Sequence, residues 1–182
     1  GWINNNFSKL TSATRGSLKI AGVAQDLLGD RLLDSMTGSL RRLSGDRIPP
    51  WNSAMPRAAG RLKRPTSVQH AVNGKVVYFP SCVSRTMGPA KQDPFQQDLH
   101  QCIQSLLAKA GFEVIIPPAV DGLCCGMPLE SKGLVEAGNE SVQQLEAVLW
   151  EASEQGKYPV LCDTSPCTFR MIEQLQQPLD IY

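Results

Sequence analysis

Apolar residues recur at two different periods along this chain, and the change falls near residue 72. Before it, Leu18, Ile20, Val23, Leu27, Leu28, Leu32, Leu33, Met36, Leu40 and Leu43 follow roughly helical spacing. That pattern predicts helices from about residue 8 to 45, kinked or split at Gly29-Asp30. Pro49-Pro50, Pro56 and Pro65, with Gly60 among them, then describe an extended connector. Beyond residue 72 short β-rich runs alternate with helical patterns. Val76–Phe79, after the turn-like Asn73-Gly74, predicts a strand. Asp93-Pro94 predicts the start of a helix ending near Gly111, with Phe95, Leu99, Cys102, Ile103, Leu106, Leu107 and Ala110 on its stripe. Val114–Ile116 is a second strand. A long helical stretch follows Pro128, with Val142, Leu145, Val148, Leu149 and Ala152 on one face and Gly156 as its stop. Val160-Leu161 opens a third strand, Pro166 a further helix through Met171, Ile172 and Leu175, and Leu179–Tyr182 is a candidate fourth strand.

This alternation predicts an α/β fold. The expected architecture is a parallel sheet of about four strands flanked by helices, preceded by a helical N-terminal arm. Residues 1–72 read as a basic helical arm with a Pro-rich connector, and residues 73–182 as the α/β body. The net charge of +1 conceals an asymmetry. The arm carries eleven Lys/Arg against four Asp/Glu, and the body seven against thirteen. Arg41-Arg42 and the Arg61-Lys63-Arg64 cluster lack the interleaved aromatics of a nucleic-acid module, so a basic arm packed on an acidic body or on neighbouring domains is expected instead. No run approaches the roughly 20 apolar residues of a membrane span, and the N-terminus shows no signal-peptide order. At most a peripheral contact with a membrane is expected. The start at Gly1-Trp2-Ile3 and the stop just after a strand read as a piece of something larger.

Candidate chemistry lies in the cysteines. Cys124-Cys125-Gly126 stands midway between Cys82 and Cys167, with equal separations on either side. Each thiol follows a short apolar run, and ligands of parallel sheets gather beyond the carboxyl ends of the strands. The fold therefore brings together thiols that are far apart in sequence. Four converging thiolates favour a soft metal or an iron–sulfur cluster. Wide spacing and the adjacent pair argue against a secreted disulfide framework and for a reducing, cytoplasmic setting.

These segments carry a resemblance. Cys82 after "VVYFPS", the "LCCGMP" loop and "DTSPCT" resemble the CCG or cysteine-rich domain of heterodisulfide reductases, glycolate oxidase iron–sulfur proteins and lactate-utilisation proteins. The longer runs "YFPSCVSRTMGP", "GLCCGMPLESKG" and "DTSPCTFR" are most similar to the C-terminal part of bacterial FAD-linked D-lactate dehydrogenases. The resemblance covers residues 73–182 and implies an electron-transfer module. Its metal ligands would be Cys82, Cys124, Cys125 and Cys167, with Gly126 giving close backbone approach to a [4Fe–4S] cluster. It also implies partner domains upstream, one binding FAD and one ferredoxin-like, and a place in the cytoplasm or at the inner face of the membrane. Thr164 stands where the family's Cys-x-x-Cys has its first cysteine, and one CCG motif is present where many relatives have two. Both departures favour a conventional four-thiolate cluster or zinc over a double cluster. Structural zinc and thiol–disulfide cycling remain the alternative readings, and self-association of the arm is a further expectation.

The surrounding residues carry lesser expectations. Pro128 and Pro166 suit first helical turns whose N–H groups face thiolate charge. Ser81, Ser84, Thr164 and Ser165 are candidate donors to sulfur. Cys102 reads as helix packing, and Cys162 as structural, pointing away from the site. His100 reads as a surface residue, His70 as part of the connector, and Asp121 and Asp163 as turn or cap residues. The chain contains no Gly-rich phosphate fingerprint, serine nucleophile elbow or paired-carboxylate arrangement.

Overall fold

The computed structural model describes residues 6–48, 50–64 and 71–182. Pro49, Pro65, His70 and the first five residues, on which some of the expectations fall, lie outside the described residues. Helix α1 (Phe7–Leu28) and helix α2 (Asp30–Leu43) meet at Gly29, whose φ of 75° breaks the helix where the sequence predicts it. Asp30 braces this elbow by accepting hydrogen bonds from Gln25 Nε2 and Trp51 Nε1, each at 2.8 Å.

The arm packs on the body by an unexpected face. Thr11 and Gln25 are the buried residues of α1, and they share a helix face with Arg15, Leu18 and Gly22. Ile20, Val23 and Leu27 lie on the opposite face and are exposed, as are Leu32, Met36, Leu40 and Leu43 of α2. The leucine stripe, expected to pack on the body, on another copy of the chain or on both, does not pack on the body. Among these residues Leu33 alone is buried. The connector is also more than an extended spacer. Strand β1 (Pro56–Ala58) pairs antiparallel with β3 (Met87–Ala90), and the Ala59 N–H donates to Thr86 O at 3.0 Å.

The body's sheet has three strands, ordered β4 (Glu113–Ile115), β2 (Lys75–Phe79) and β5 (Val160–Cys162), all parallel. Central β2 buries Val76, Val77, Tyr78 and Phe79 without alternation, as expected of a strand covered on both faces. The expected fourth strand, Leu179–Tyr182, narrows to one parallel bridge, Val160 to Ile181. Hydrogen bonds from Cys162 N to Tyr182 O and from Tyr182 N to Val160 O still hold it beside β5.

Between the strands lie α3 (Cys82–Thr86), α4 (Leu99–Lys109), α5 (Met127–Glu130), α6 (Val135–Ala152) and α7 (Ser165–Gln174). Two helix starts differ from the sequence reading. Asp93 accepts a hydrogen bond from Phe95 N at 2.8 Å, a local turn that competes with helix formation. The helix therefore begins only at Leu99, leaving Phe95 80% exposed. Likewise the stretch after Pro128 is interrupted by Gly133, at φ 79°, between α5 and α6. Among the described residues no helix is long and apolar enough to cross a membrane.

Gly126 shows what the turn into α5 demands. Its φ is 83°, and a Cβ there would fall 2.2 Å from the Gly138 carbonyl oxygen of α6. Gly126→Ala should therefore cost about 2–5 kcal/mol, combining left-handed strain with overpacking. Gly38→Ala, in the middle of α2 with no atom within 4 Å of the added methyl, should gain about 0.5–1 kcal/mol. Urea unfolding of the two variants tests both signs.

Candidate metal and redox site

The three strands deliver their cysteines to one edge of the sheet. Ser81 caps α3, its side chain accepting from Ser84 N, and so sets Cys82 at the first helical position after β2. The loop after β4 passes through a single 3-10 turn, Val120–Gly122, to Cys124 and Cys125. Cys162 ends β5, and Cys167 lies in the first turn of α7, which has proline near its start. Cys82, Cys124, Cys125, Cys167 and Cys162 follow one another as neighbours that shift each other's titration. The Cys125 and Cys167 sulfurs are 3.0 Å apart, and all six cysteines are free thiols.

The four expected cysteines are thus brought together, with Cys162 added. The expectation that Cys162 points elsewhere is corrected, because β5 ends with its thiol inside the site. Cys102 stays outside this string, on α4. The thiols form a string of neighbours. Among the described residues no group of three or more His, Cys, Asp or Glu side chains is gathered as a metal site. Five soft donors in one string are nevertheless of the type that zinc and iron–sulfur centres select. A tetrahedral zinc, with Zn–S near 2.3 Å, needs sulfurs about 3.8 Å apart. Cys125 and Cys167 would have to separate by only about 0.8 Å to meet that geometry.

Charge within the string alternates. Cys82 is drawn down to about 7 by its hydrogen bond with Cys124, against the effect of burial, with help from the Arg85 charge. Hydrogen bonds from Cys124 and Cys167 draw Cys125 down. Burial opposes them, while the Met127 N–H and Arg170 assist. Cys162 is lowered chiefly by its hydrogen bond with Cys167. Cys124 and Cys167 are pushed up by hydrogen bonding with their thiol neighbours, and burial adds to the effect. Backbone donors contribute as expected of the turn into α5, with Gly126 N 3.3 Å from Cys124 Sγ. The expected role of Gly126 shifts accordingly. Its missing Cβ makes room for α6, while its N–H faces sulfur.

Two arginines that the sequence reading left unassigned hold the loop. Arg85, 1% exposed, donates to Val120 O, to Leu123 O at 2.6 Å and to Ser81 O at 3.3 Å. Arg170, 2% exposed, donates to Cys125 O at 2.8 Å and to Asn139 Oδ1 at 3.1 Å, and pairs with Glu130. Both guanidiniums are buried beside thiolates, and burial lowers Arg85 while the Cys82 charge resists that shift. The signal was present in the sequence as a repeated spacing, Cys82-x-x-Arg85 and Cys167-x-x-Arg170.

Of the expected hydroxyl donors to sulfur, Ser84 and Thr164 serve a carboxylate instead. Asp163 accepts from Tyr78 Oη at 2.7 Å, Ser84 Oγ at 2.6 Å, Ser81 N at 2.9 Å and Thr164 Oγ1 at 3.1 Å. Thr164 Oγ1 also donates to Ser81 Oγ at 2.8 Å. Thr168 Oγ1 donates to Thr164 O at 3.3 Å, the same carbonyl that Cys162 Sγ approaches at 3.9 Å. His100 is another correction. It is fully buried, with both ring nitrogens unpaired and Nε2 3.8 Å from Asp98 Oδ2, because α4 starts late and turns this position inward.

No protein-family model, curated protein or solved structure matches this chain.

Two outcomes follow from the electrostatics. Burial pushes Asp163 up, but its hydrogen bonds from Ser84, Tyr78 and Ser81 prevail and hold it below the ordinary carboxylate value. A depressed folded value adds stability above the unfolded pKa near 3.9, and that stability is lost as pH falls through the folded value. Asp163→Asn should cost about 1–3 kcal/mol at neutral pH, and the gap from wild type should close below about pH 4. In metal-free, reduced protein, iodoacetamide should label half-buried Cys82 ahead of buried Cys124 and Cys125, with a rate that rises through about pH 7. Peptide mass spectrometry over a pH series reads both the order and the midpoint.

Proposed function

We propose that the body of this protein holds a soft metal centre on Cys82, Cys124, Cys125 and Cys167, in its leading form a [4Fe–4S] cluster. In this reading it is the electron-relay module of a FAD-linked dehydrogenase acting on D-lactate or a related 2-hydroxyacid. The observation that carries the proposal is the string of thiols at the carboxyl end of a parallel sheet, with two buried arginines against its loop. The sequence resemblance adds the flavin-linked context, and the FAD and ferredoxin-like domains are then partners outside this chain. A bound cluster supplies reversible one-electron storage.

The chain's own residues shape how that store behaves. Arg85 and Arg170 offset thiolate charge, which favours the more negative reduced state. The Gly126 and Met127 N–H groups point at sulfur and act in the same direction. Thr164, in the place of a cysteine, is engaged with Ser81 and Asp163, which leaves Cys167 as the ligand from that loop. Structural zinc is the second reading, favoured by the close approach of Cys125 and Cys167.

Anaerobic reconstitution followed by iron, sulfide and zinc analysis separates the two. The proposal expects about four irons and four sulfides per chain, with loss of the visible absorbance in Cys124→Ser and Cys125→Ser but not in Cys102→Ser. One zinc per chain with no iron would move the assignment to the structural reading. Protein that takes up neither metal would end both.

A further inference from the structure

The junction of arm and body contains a second polar site, independent of what the cysteines hold. Between α1 and the segment that follows β1 lies a cavity of about 330 Å³. Ser12, Arg15 and Lys19 face it from α1 at helical spacing, and Arg61 faces it from the connector. No acidic side chain lines it. Arg15 and Lys19 are like charges four residues apart on one helix face, an arrangement that disfavours the helix unless something offsets it. The Arg15 side chain is 19% exposed, and its Nε is buried without a hydrogen-bond partner. Arg15 Nη2 pairs with exposed Asp121 at 3.8 Å, an ion pair too long for a hydrogen bond. Neither Lys19 nor Arg61 forms an ion pair among the described residues.

We infer that this cavity binds a small, soluble phosphate-bearing anion. Three cations around one cavity with no acidic group among them repel one another, a cost that an incoming oxyanion removes. One arginine fork satisfies a planar carboxylate, whereas cations arriving from both walls suit a tetrahedral group that accepts on all sides. The volume is at the small end for ligand sites, which favours phosphate or pyrophosphate over a large molecule. The enclosed position of Arg15 separates this site from an open basic surface, which would attract lipid headgroups instead.

The location gives the site a consequence. Asp121 belongs to the 3-10 turn that leads into Cys124-Cys125, so an anion on Arg15 draws the guanidinium away from the base of the cysteine loop. Occupancy of the cavity and the setting of that loop are then linked through one residue.

Calorimetric titration of the intact chain with pyrophosphate and with inorganic phosphate tests the inference. Malonate and phosphatidylglycerol vesicles serve as the competing arms. Wild type should bind pyrophosphate more tightly than malonate, and salt should weaken that binding. Arg15→Gln and the exposed Lys19→Gln should each weaken it about tenfold. So should Arg61→Gln, which lies outside the packed helix faces and leaves folding intact. Asp121→Asn removes the competing carboxylate and should tighten binding a few-fold, an effect that a purely structural role for Arg15 does not give. Absence of pyrophosphate binding, equal affinity in wild type and Arg61→Gln, tighter binding of malonate, or binding to vesicles alone would each overturn the inference.

Discussion

Two guanidinium groups buried against one loop organise the rest of this molecule. Arg85 and Arg170 reach the carbonyls of Leu123 and Cys125, each from a helix whose N-terminal part also carries a cysteine. A loop whose carbonyls must point at arginines cannot also point them at sulfur. Its N–H groups and thiols therefore turn towards Cys82 and Cys167. Burying an arginine is costly unless every donor is used and a counter-charge lies near. The carbonyl acceptors and the lowered thiols of Cys82 and Cys125 meet that requirement. Truncating either arginine would leave buried carbonyls unsatisfied as well as thiolates uncompensated. The site and its scaffold are thus one structure.

The Asp163 network does the corresponding work for the strand ends. Tyr78 comes from β2, Ser81 and Ser84 from the loop and helix after it, and Asp163 and Thr164 from the loop after β5. One carboxylate therefore fixes the distance between the segments that carry Cys82 and Cys167. Burial and the Asp163 charge push Tyr78 up, so it stays a donor across any ordinary pH. Pairwise contacts between distant loops then depend on hydrogen bonds with little freedom to rearrange.

The sequence made the fold class legible because β2 is an unbroken β-rich run and α6 has a strong helical period, and it made the cysteine positions legible because parallel strands deliver their ends to one edge. What it hid were choices settled by tertiary partners. Phe95 and His100 look like neighbours on a helix stripe and edge. The Asp93 turn delays the helix, which exposes the first and buries the second. Ser84 and Thr164 are credible donors to sulfur until Asp163 is seen to claim them. Cys162 looked structural because strand alternation does not reveal which face the site occupies. The repeated Cys-x-x-Arg spacing could have announced the buried arginines, since a charge one turn after a site residue lies on the same helix face.

The arm shows why apolar periodicity alone misassigns an interface. Its leucine stripe is the more hydrophobic face of α1, yet the face that meets the body carries Thr11, Arg15, Gly22 and Gln25. Specific polar contacts decide the matter. Gln25 reaches Asp30, Asp26 pairs with Arg57 at 2.5 Å and with Lys91 at 2.8 Å, and Arg57 lies alongside Gly22. Hydrophobic burial is non-directional and would accept several orientations of an amphipathic helix. Charged hydrogen bonds of this geometry accept one. The arm is therefore oriented by polarity, and its apolar stripe is left facing outward as a consequence of that choice.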